Sequence, residues 1–532
     1  MGKKKKKRIN QKIPENIEGS FFSNKQKKIF IILLCAFAGL RVFLYSAAFP
    51  IFNNVDEQLH FDIVYKYAGG QIPQKLEHFS KETIDLIVAY ESPEYLNRPS
   101  DFFKKGETPP PRWLPNANPE YEHYNRRYKE IKTKHYQVVS NYESTQPPVY
   151  YLIAAAWYKI GKALGLNGGN EIYWIRFLNI PIYVLLVWLS YCYVKRLFPD
   201  NEFLLFGLPL FISVFPQSVM FGINNDVLSP LLFTLAFFCL IEIYISEEKS
   251  FLFYLLTGFL IAITFLTKMT NLAILVASGV ILVIKIKQLK TYKKIQTELY
   301  KIIIMVLSAA FPVALWLGRN YFILNDITGS GEKIKYLGWT LKPLNAIWDH
   351  PFFSIKGIFT FWNDLLASFW RGEFLWHKVK MASDYFDTFY LMSSCLFIGV
   401  IIALVLLNRK NQSKERFVYL LSILIVTVSI AFLLAVSLAY DYNDCPYPSR
   451  YYPFMTSGRL IFGIVVPFLI LYLEGFNYLL IKLKLQPMRE AILVLIAISI
   501  VISEFIICYP VFKSSYNWFH VIGFLKLPSF IN

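Results

Sequence analysis

The sequence predicts an all-α polytopic membrane protein with about 11 transmembrane helices, and three observations support this fold class. Of the 532 residues, 55% are hydrophobic and only 17% are charged, against about 25% charged residues in soluble domains. The mean hydropathy is +0.39. Apolar runs that reach or approach the roughly 20 residues needed to cross a bilayer recur along the chain.

Eleven apolar runs are candidates for spanning helices, although some are short. The second run of the pair 251–267 and 271–286 follows after only three residues, so we expect these two runs to form a shallow hairpin. The predicted spans are 29–48, 177–194, 203–221, 227–245, 251–267, 271–286, 301–318, 388–407, 417–438, 460–475 and 490–508.

The apolar stretch 148–164 can be interpreted in two ways. It contains Lys159 and Lys162, and counting it as a span would place Lys195 and Arg196 outside the cell. Counting it as a helix that lies at the membrane interface keeps the charge pattern of all later loops consistent. We therefore predict an interfacial helix here.

The distribution of cations predicts the topology. Residues 1–28 form a basic tail with a block from Lys3 to Arg8, which suits the anionic inner leaflet. With this tail in the cytoplasm, most short inner loops are rich in Lys and Arg, as the positive-inside rule requires. The same rule explains the net charge of +18 without a nucleic-acid partner. The expected location is the cell membrane, with 29–508 as the transmembrane domain and 509–532 as an outer tail.

Two long segments then fall on the outer face. Residues 49–176 are rich in Pro, Tyr and charged residues, and residues 319–387 contain five tryptophans. Segments of this length are usually functional or ordered rather than simple connectors. Amphipathic aromatic stretches such as 355–376 predict further helices that lie on the membrane surface.

Ionisable residues are concentrated at the predicted outer helix ends, where they can face one outer cavity. For single residues ordinary explanations exist: a cation at a helix end reaches the headgroups, Asp226 caps a helix, and His60 is a plain loop histidine. The adjacent carboxylates of Asp56 and Glu57 are harder to explain in this way. The candidate site residues are Asp56, Glu57, His60, Arg176, Asp226, Lys268, Arg319 and Arg459.

A carboxylate opposite several cations suits the transfer of a group from a phosphate carrier. The carboxylate removes a proton from an incoming hydroxyl or amine, and the cations stabilise the charge that grows on the leaving phosphate. The segment from Gly161 to Gly169 lacks the ending of a Walker loop. A free nucleotide is not expected as the donor outside the cell, whereas a lipid-linked phosphate can reach a site at the level of the bilayer from the side.

The chain resembles the GT-C class of integral-membrane glycosyltransferases, which includes aminoarabinose transferases, protein O-mannosyltransferases and related bacterial families. The resemblance covers about 30–475, and its motifs occur in the order found in that class. These motifs are VDEQLHFDIVYKYAGGQIP (55–73), STQPPVYYLIAAAWYKIG (144–161), RFLN (176–179), FPQSVMFGINNDVLSP (215–230), TGFLIAITFLTKMTNL (257–272), WLGRNYFILNDITG (316–329) and SGRLIFGIVVPF (457–468).

The resemblance implies roles for particular residues. Asp56 is expected to be the catalytic carboxylate of an inverting displacement, with Glu57 supporting it. Lys268 and Arg319 are expected to hold the lipid phosphate, and Arg459 stands where a cation precedes a late span. One departure from the class is Leu460, which replaces the usual Tyr after that Gly-Arg pair.

The sequence thus predicts a glycosyltransferase that moves a sugar from a polyprenyl-phosphate carrier to a lipid, polymer or protein acceptor. No cofactor is assigned with certainty, but Asp56, Glu57, His60 and Asp226 carry oxygen and nitrogen atoms that can bind a divalent metal. The alternative is a transporter or flippase of lipid-linked sugars, which requires polar residues within the bilayer. Arg41 is the main candidate for such a residue.

Overall fold

The computed structural model describes residues 23–521 apart from 103, 105, 115–117, 247–248, 289–294 and 408–412. The basic block in the tail 1–28, Arg409 and Lys410 of a predicted inner loop, and residues 522–532 of the predicted outer tail 509–532 lie outside the described residues. The first five residues of that predicted tail belong to α18. The helices of the described part are α1 Asn24–Ala48, α2 Glu57–Ala68, α3 Lys81–Tyr90, α4 Pro119–Val138, α5 Val149–Ala163, α6 Gly169–Phe177, α7 Asn179–Leu197, α8 Glu202–Ser213, α9 Ser229–Ile245, α10 Phe251–Phe265, α11 Ala273–Gln288, α12 Ile295–Leu324, α13 Gly331–Tyr336, α14 Ile355–Arg371, α15 Asp384–Leu407, α16 Lys414–Ala439, α17 Val465–Lys482, α18 Arg489–Lys513 and α19 Trp518–Val521.

The predicted all-α, multi-pass architecture is confirmed. By length and composition, nine helical stretches of the described residues can cross a membrane, and the shorter apolar helices α8 and α10 account for the other two predicted spans. The nine stretches are Asn24–Ala48, Gly169–Leu197, Asn225–Ile245, Met269–Gln288, Ile295–Leu324, Asp384–Leu407, Lys414–Ala439, Gly458–Lys482 and Gln486–Val521.

Three predicted helix boundaries that bear on the candidate residues were wrong. The seventh span, predicted to end at 318, continues to Leu324, so Arg319 lies within α12. The predicted span 203–221 ends at Ser213, because Pro216 disfavours helical geometry in the residue before it. The chain continues as a loop with a short 3-10 segment, Ser218–Phe221. The second span begins at Gly169 rather than at 177, so Arg176 lies within that span and does not open it.

The predicted interfacial helix at 148–164 corresponds to α5, Val149–Ala163. It is as long as α10, but unlike α10 it carries two exposed lysines, Lys159 and Lys162. One face is buried through residues such as Tyr151 and Ala154, whereas Leu152 and Ile160 on the other face are exposed. This pattern is typical of a helix that lies along a membrane surface.

The long segments 49–168 and 325–383 lie together at one end of the helix bundle, which we call the loop end. The backbone N–H of His377 donates to the carbonyl of Glu94, and that of Leu76 donates to the carboxylate of Glu332. Two small antiparallel strand pairs reinforce the second segment. They join Thr340–Leu341 to Tyr440–Asp441 and Leu375–Trp376 to Val379–Lys380.

Helix α14 confirms the predicted amphipathic helix in the second segment. Phe361 and Leu365 are buried against the bundle, while Ile355 and Phe359 on the opposite side are 90% and 63% exposed. The Ser354 hydroxyl caps its N-terminus by accepting from the N–H of Gly357. Such a one-sided apolar surface is expected of a helix that contacts a bilayer.

The centre of the bundle is formed by α9 and α17, whose spans are 78% and 72% buried by the rest of the protein. Each of these helices is preceded by a short 3-10 segment at the loop end, Asn225–Val227 and Gly458–Ile464 respectively. These two segments carry Asp226 and Arg459. The residues of the candidate site are therefore attached to the most enclosed helices of the fold.

Candidate functional site

Asp56 lies in the connection between α1 and α2, directly before the first residue of α2. Its φ of 59° places it in the left-handed region, which costs a residue other than glycine about 1–2 kcal/mol. Its carbonyl oxygen accepts the N–H groups of Leu59 and His60. Six other non-glycine residues of the described part also have a positive φ, and Asp tolerates it better than most residues. At Asp56 the conformation turns the chain into the start of α2.

Arg459 joins three carboxylates from distant parts of the chain. Its Nη2 lies 2.8 Å from Oδ2 of Asp56, its Nη1 lies 3.0 Å from Oδ2 of Asp226, and its Nε lies 3.3 Å from Oε2 of Glu373. The planar guanidinium presents its donors in a fixed fork, which a lysine does not have. Arg459 thus fixes the relative positions of the three carboxylates.

Lys268 completes this group by forming an ion pair with Oδ1 of Asp226. The Thr270 hydroxyl, two residues further on, donates to the carbonyl of Leu460. This bond ties the segment that carries Lys268 to the segment that carries Arg459. We call Asp56, Asp226, Lys268, Glu373 and Arg459 the Arg459 cluster.

The segment that carries Arg459 is hydrogen-bonded to the C-terminal end of α14 and to Glu373, which follows that helix. The N–H of Gly458 donates to Oγ of Ser368 at 2.9 Å, and the Ser457 hydroxyl donates to Oε2 of Glu373 at 2.7 Å. A Cβ atom at Gly458 would lie only 2.2 Å from the backbone nitrogen of Phe369. Glycine is therefore required here for the close approach of the two segments.

Tyr142 and Lys333 approach Asp56 from the two long segments. The Tyr142 hydroxyl donates to Oδ1 of Asp56 at 2.6 Å. The ammonium of Lys333 lies 5.2 Å from the centre of the Tyr142 ring and pairs with Glu143. Both oxygens of the Asp56 carboxylate thus accept a hydrogen bond, one from Tyr142 and one from Arg459.

The surroundings of Asp56 control its protonation. Burial alone would raise its pKa, but the charges of Arg459 and Lys333 and the hydrogen bond from Tyr142 outweigh burial and lower the pKa to about 2. Asp56 is therefore a carboxylate at neutral pH.

His60 is buried next to the cluster. Its Nδ1 is 2.7 Å from the Tyr151 hydroxyl. Burial lowers the pKa of His60 to about 4, although Glu143 and Asp56 favour the charged form. The imidazole is therefore neutral at physiological pH, and it can accept or donate a hydrogen bond without adding charge to the site.

Glu57 and Arg176 form a separate pair in which both side chains are fully buried. Two bonds of 2.6 Å join the guanidinium to the carboxylate. Arg176 also donates to the carbonyls of Phe49 and Pro50, and Glu57 accepts the N–H of Ile223. The pair connects the end of α1, the end of α6 and the loop before Asp226, so it fixes the relative positions of the segments that flank Asp56 and Asp226.

Arg319 lies apart from the Arg459 cluster. Its guanidinium is stacked 4.7 Å from the ring centre of Trp316 and donates to the carbonyl of Pro73. Of the eight candidate residues, the structure brings Asp56, Asp226, Lys268 and Arg459 into direct contact and places His60 beside them. Glu57 and Arg176 form the separate buried pair described above.

Glu373, Tyr142 and Lys333 were missed by the sequence analysis. Tyr142 is close to the motif at 144–161, and this proximity is the one signal that marks it. Glu373 and Lys333 occur in long segments with many other charged residues, where no spacing distinguishes them.

A divalent metal needs several carboxylate, imidazole or thiolate ligands around one point. Within the described parts of the chain, no three His, Cys, Asp or Glu side chains are placed to hold an ion. Guanidinium and ammonium groups neutralise Asp56 and Asp226 instead.

Comparison with known protein families gives a match. The model of a family described as a predicted membrane protein, DUF2142, matches residues 40–445. This range includes Asp56, Asp226, Lys268 and Glu373 but ends before Arg459. No curated protein and no solved structure matches the chain.

Proposed function

The chain belongs to the DUF2142 family of predicted membrane proteins, and from the geometry of its own site we propose that it is a membrane glycosyltransferase. It would transfer a sugar from a polyprenyl phosphate to an acceptor hydroxyl or amine. One observation carries the proposal, namely that Arg459 and Lys268 converge on the two carboxylates of Asp56 and Asp226. A base and the cations for a leaving phosphate thus lie in one cluster.

The proposed reaction is a single displacement with inversion. Asp56 removes the proton from the acceptor, and the acceptor atom attacks the anomeric carbon of the sugar. The bond from that carbon to the phosphate oxygen breaks, and its electron pair leaves with the lipid phosphate. Arg459 and Lys268 stabilise the negative charge that develops there, which is commonly the largest contribution to such catalysis.

Binding of the donor would also prepare Asp56 as a base. A carboxylate with a pKa of about 2 is a weak base, because the best catalytic pKa lies near the working pH. A phosphate that competes for Arg459 would weaken the contact between Arg459 and Asp56. The pKa of Asp56 would then rise towards a useful value only when the donor is present.

The remaining candidate residues have supporting roles in this proposal. Glu57 and Arg176 form a scaffold that fixes the backbone on both sides of Asp56. Arg319, stacked on Trp316 at the loop end of α12, would meet the phosphate or the headgroup region of the carrier.

We place the loop end on the outer face of the cell membrane and the N-terminus in the cytoplasm. The support for this orientation is the positive-inside rule, since Lys195, Arg196, Lys285 and Lys482 lie at helix ends away from the loop end.

The flippase alternative receives no support from Arg41. Its Nε is 2.7 Å from Oε2 of Glu504, and its other nitrogens donate to the carbonyls of Ser213 and Phe215. This buried pair joins α1, α18 and the end of α8. Its bonds are satisfied within the protein, as expected of a packing contact rather than of a transport path.

The proposal is tested with purified protein in detergent and a short-chain polyprenyl phosphate that carries a radiolabelled sugar. A glycosyltransferase releases the lipid phosphate and forms a covalent product with an added membrane extract as the source of acceptor. A flippase forms none. Absence of product with every donor sugar, for protein that binds the donor, would overturn the proposed activity.

A further inference from the structure

The Arg459 cluster is part of a closed ring of side chains at the loop end. Two pairs of adjacent residues, 142–143 and 225–226, close the ring through the backbone. The other links are hydrogen bonds or ion pairs, and the members in order are Asp56, Tyr142, Glu143, Gln146, Asn225, Asp226 and Arg459.

The two sides of this ring differ in chemistry. On one side Arg459 and Lys268 offer cationic donors, which suit phosphate oxygens. On the other side stand Glu143, Gln146 and Asn225, which we call the amide arc. Both amide nitrogens of the arc already donate: that of Gln146 to Glu143, and that of Asn225 to Gln146 and to the carbonyl of Thr267. Apart from the second N–H of Gln146 and the Lys333 ammonium that pairs with Glu143, the arc offers acceptors. Acceptors such as the Glu143 carboxylate do not bind a phosphate.

The clearest such acceptor is the amide oxygen of Asn225. Asn225 is 1% exposed, and its Oδ1 has no hydrogen-bond partner among the described residues. A buried acceptor without a partner is unfavourable. Other buried oxygens of the described residues share this state, Oδ1 of Asn224 among them, but of the ring members it is Asn225 that does so. Rotating the amide by half a turn would not help, because the nitrogen would then lose Gln146 and the carbonyl of Thr267.

Gln146 covers Asn225 and is itself partly exposed. Its side chain is held by one bond from Asn225 at 3.2 Å and one bond to Glu143, so a small movement of Gln146 lets a ligand group enter between it and Asn225. That group must accept from the amide nitrogen of Asn225 and donate to an oxygen of Asn225, Gln146 or Glu143. A hydroxyl group both accepts and donates, whereas a lipid chain does neither.

We propose that the amide arc is a hydroxyl-recognition subsite that selects the sugar carried by the donor. This inference rests on the proposed function, because it assigns the phosphate to the cationic side of the ring and the sugar to the arc. A site built to hydrogen-bond hydroxyl groups discriminates strongly against a ligand that lacks one or presents it at the wrong angle, since the buried polar atoms then stay unpaired.

The test measures the affinity of purified full-length protein for farnesyl phosphate and for farnesyl phosphates that carry glucose, galactose, mannose or their deoxy forms. The variants are Asn225→Ala and Gln146→Leu. Asn224→Ala is the matched control, because the Asn224 amide is buried but donates to the carbonyls of Val219 and Gly222 outside the ring. Gln146→Leu keeps the test valid if loss of the buried Asn225 impairs folding.

We expect the wild type and Asn224→Ala to prefer one hexose over its stereoisomers or deoxy forms by at least about tenfold. In Asn225→Ala and Gln146→Leu this preference should fall to about twofold or less, with affinity for farnesyl phosphate unchanged. Variants that discriminate like the wild type would overturn the subsite, as would a wild type that binds all forms equally. Failure of the wild type to bind farnesyl phosphate would instead overturn the proposed function.

Discussion

The guanidinium of Arg459 lies 2.8 Å from the carboxylate of Asp56, although 403 positions separate the two residues in the chain. The contact joins the connection after the first span to the segment before α17. Since Arg459 also binds Asp226 and Glu373, it is the residue on which the geometry of the cluster depends.

Replacing Arg459 by lysine tests this dependence. Lysine keeps the charge but lacks the fork that reaches three carboxylates at once. We expect Arg459→Lys to fold and to lose about 100-fold or more in the rate of sugar transfer, as when one donor to a developing oxyanion is removed. The control is Arg450→Lys, an exposed loop arginine bound to Asn443. Equal rates in the two variants would contradict the role of Arg459.

A methyl group at Gly458 should impair the site without changing any charge. The added Cβ would meet the backbone of Phe369 at 2.2 Å, so the Arg459 segment and α14 must move apart. We expect Gly458→Ala to lower transfer by about tenfold or more, since small displacements of catalytic groups are costly. Gly399→Ala is the control, because a Cβ there meets no atom within 4 Å. Full activity of Gly458→Ala would show that the close approach is not needed.

Glu57→Gln and Asp56→Asn should differ in their effects on folding. Glu57→Gln leaves the fully buried guanidinium of Arg176 without a counter-charge, which typically costs about 3–5 kcal/mol. In Asp56→Asn, Arg459 keeps two other carboxylates. We therefore expect Glu57→Gln to aggregate in detergent at a clearly lower temperature than Asp56→Asn. Aggregation is measured by size-exclusion chromatography after heating. A stable but inactive Glu57→Gln would assign Glu57 a direct part in the chemistry.

The buried imidazole of His60 should make stability depend on pH. Its pKa is about 4 in the folded protein against 6.5 for an exposed histidine. Between these values the unfolded chain binds a proton that the folded protein does not, so stability rises with pH over this window and is lost as pH falls from about 6.5 to 4. The full effect is at most about 3 kcal/mol.

The variant His60→Gln should lack this contribution. We expect the unfolding temperature of the wild type to rise relative to that of His60→Gln as the pH increases from 4 to 7. All other titrating groups are shared, so the difference reports on His60. A difference that does not change with pH would show that His60 titrates normally.

Much of this architecture was predictable from the sequence. The apolar runs located each spanning helix, and the concentration of ionisable residues at the predicted outer helix ends drew attention to Asp56, Asp226, Lys268 and Arg459. These residues are close in space because the helices alternate in direction, which returns their ends to the same side of the bundle.

The partners of these residues were less predictable. Glu373 and Tyr142 come from long segments whose path is set by tertiary contacts, and neither periodicity nor charge pattern reports on those contacts. The adjacent carboxylates of Asp56 and Glu57 looked like one acidic pair. They point to different partners, because the left-handed conformation of Asp56 turns the chain between them. Glu57 is bound by Arg176, 119 positions away.

The most direct test of the central claim is the transfer activity of Asp56→Asn. Wild type and variant, both shown to be monodisperse and to bind farnesyl phosphate, are compared with the same radiolabelled lipid-linked sugar and acceptor source. We expect the variant to form product at least about 100-fold more slowly, because the amide cannot remove the proton of the acceptor. Product formation by Asp56→Asn at the wild-type rate would contradict the assignment of Asp56 as the base.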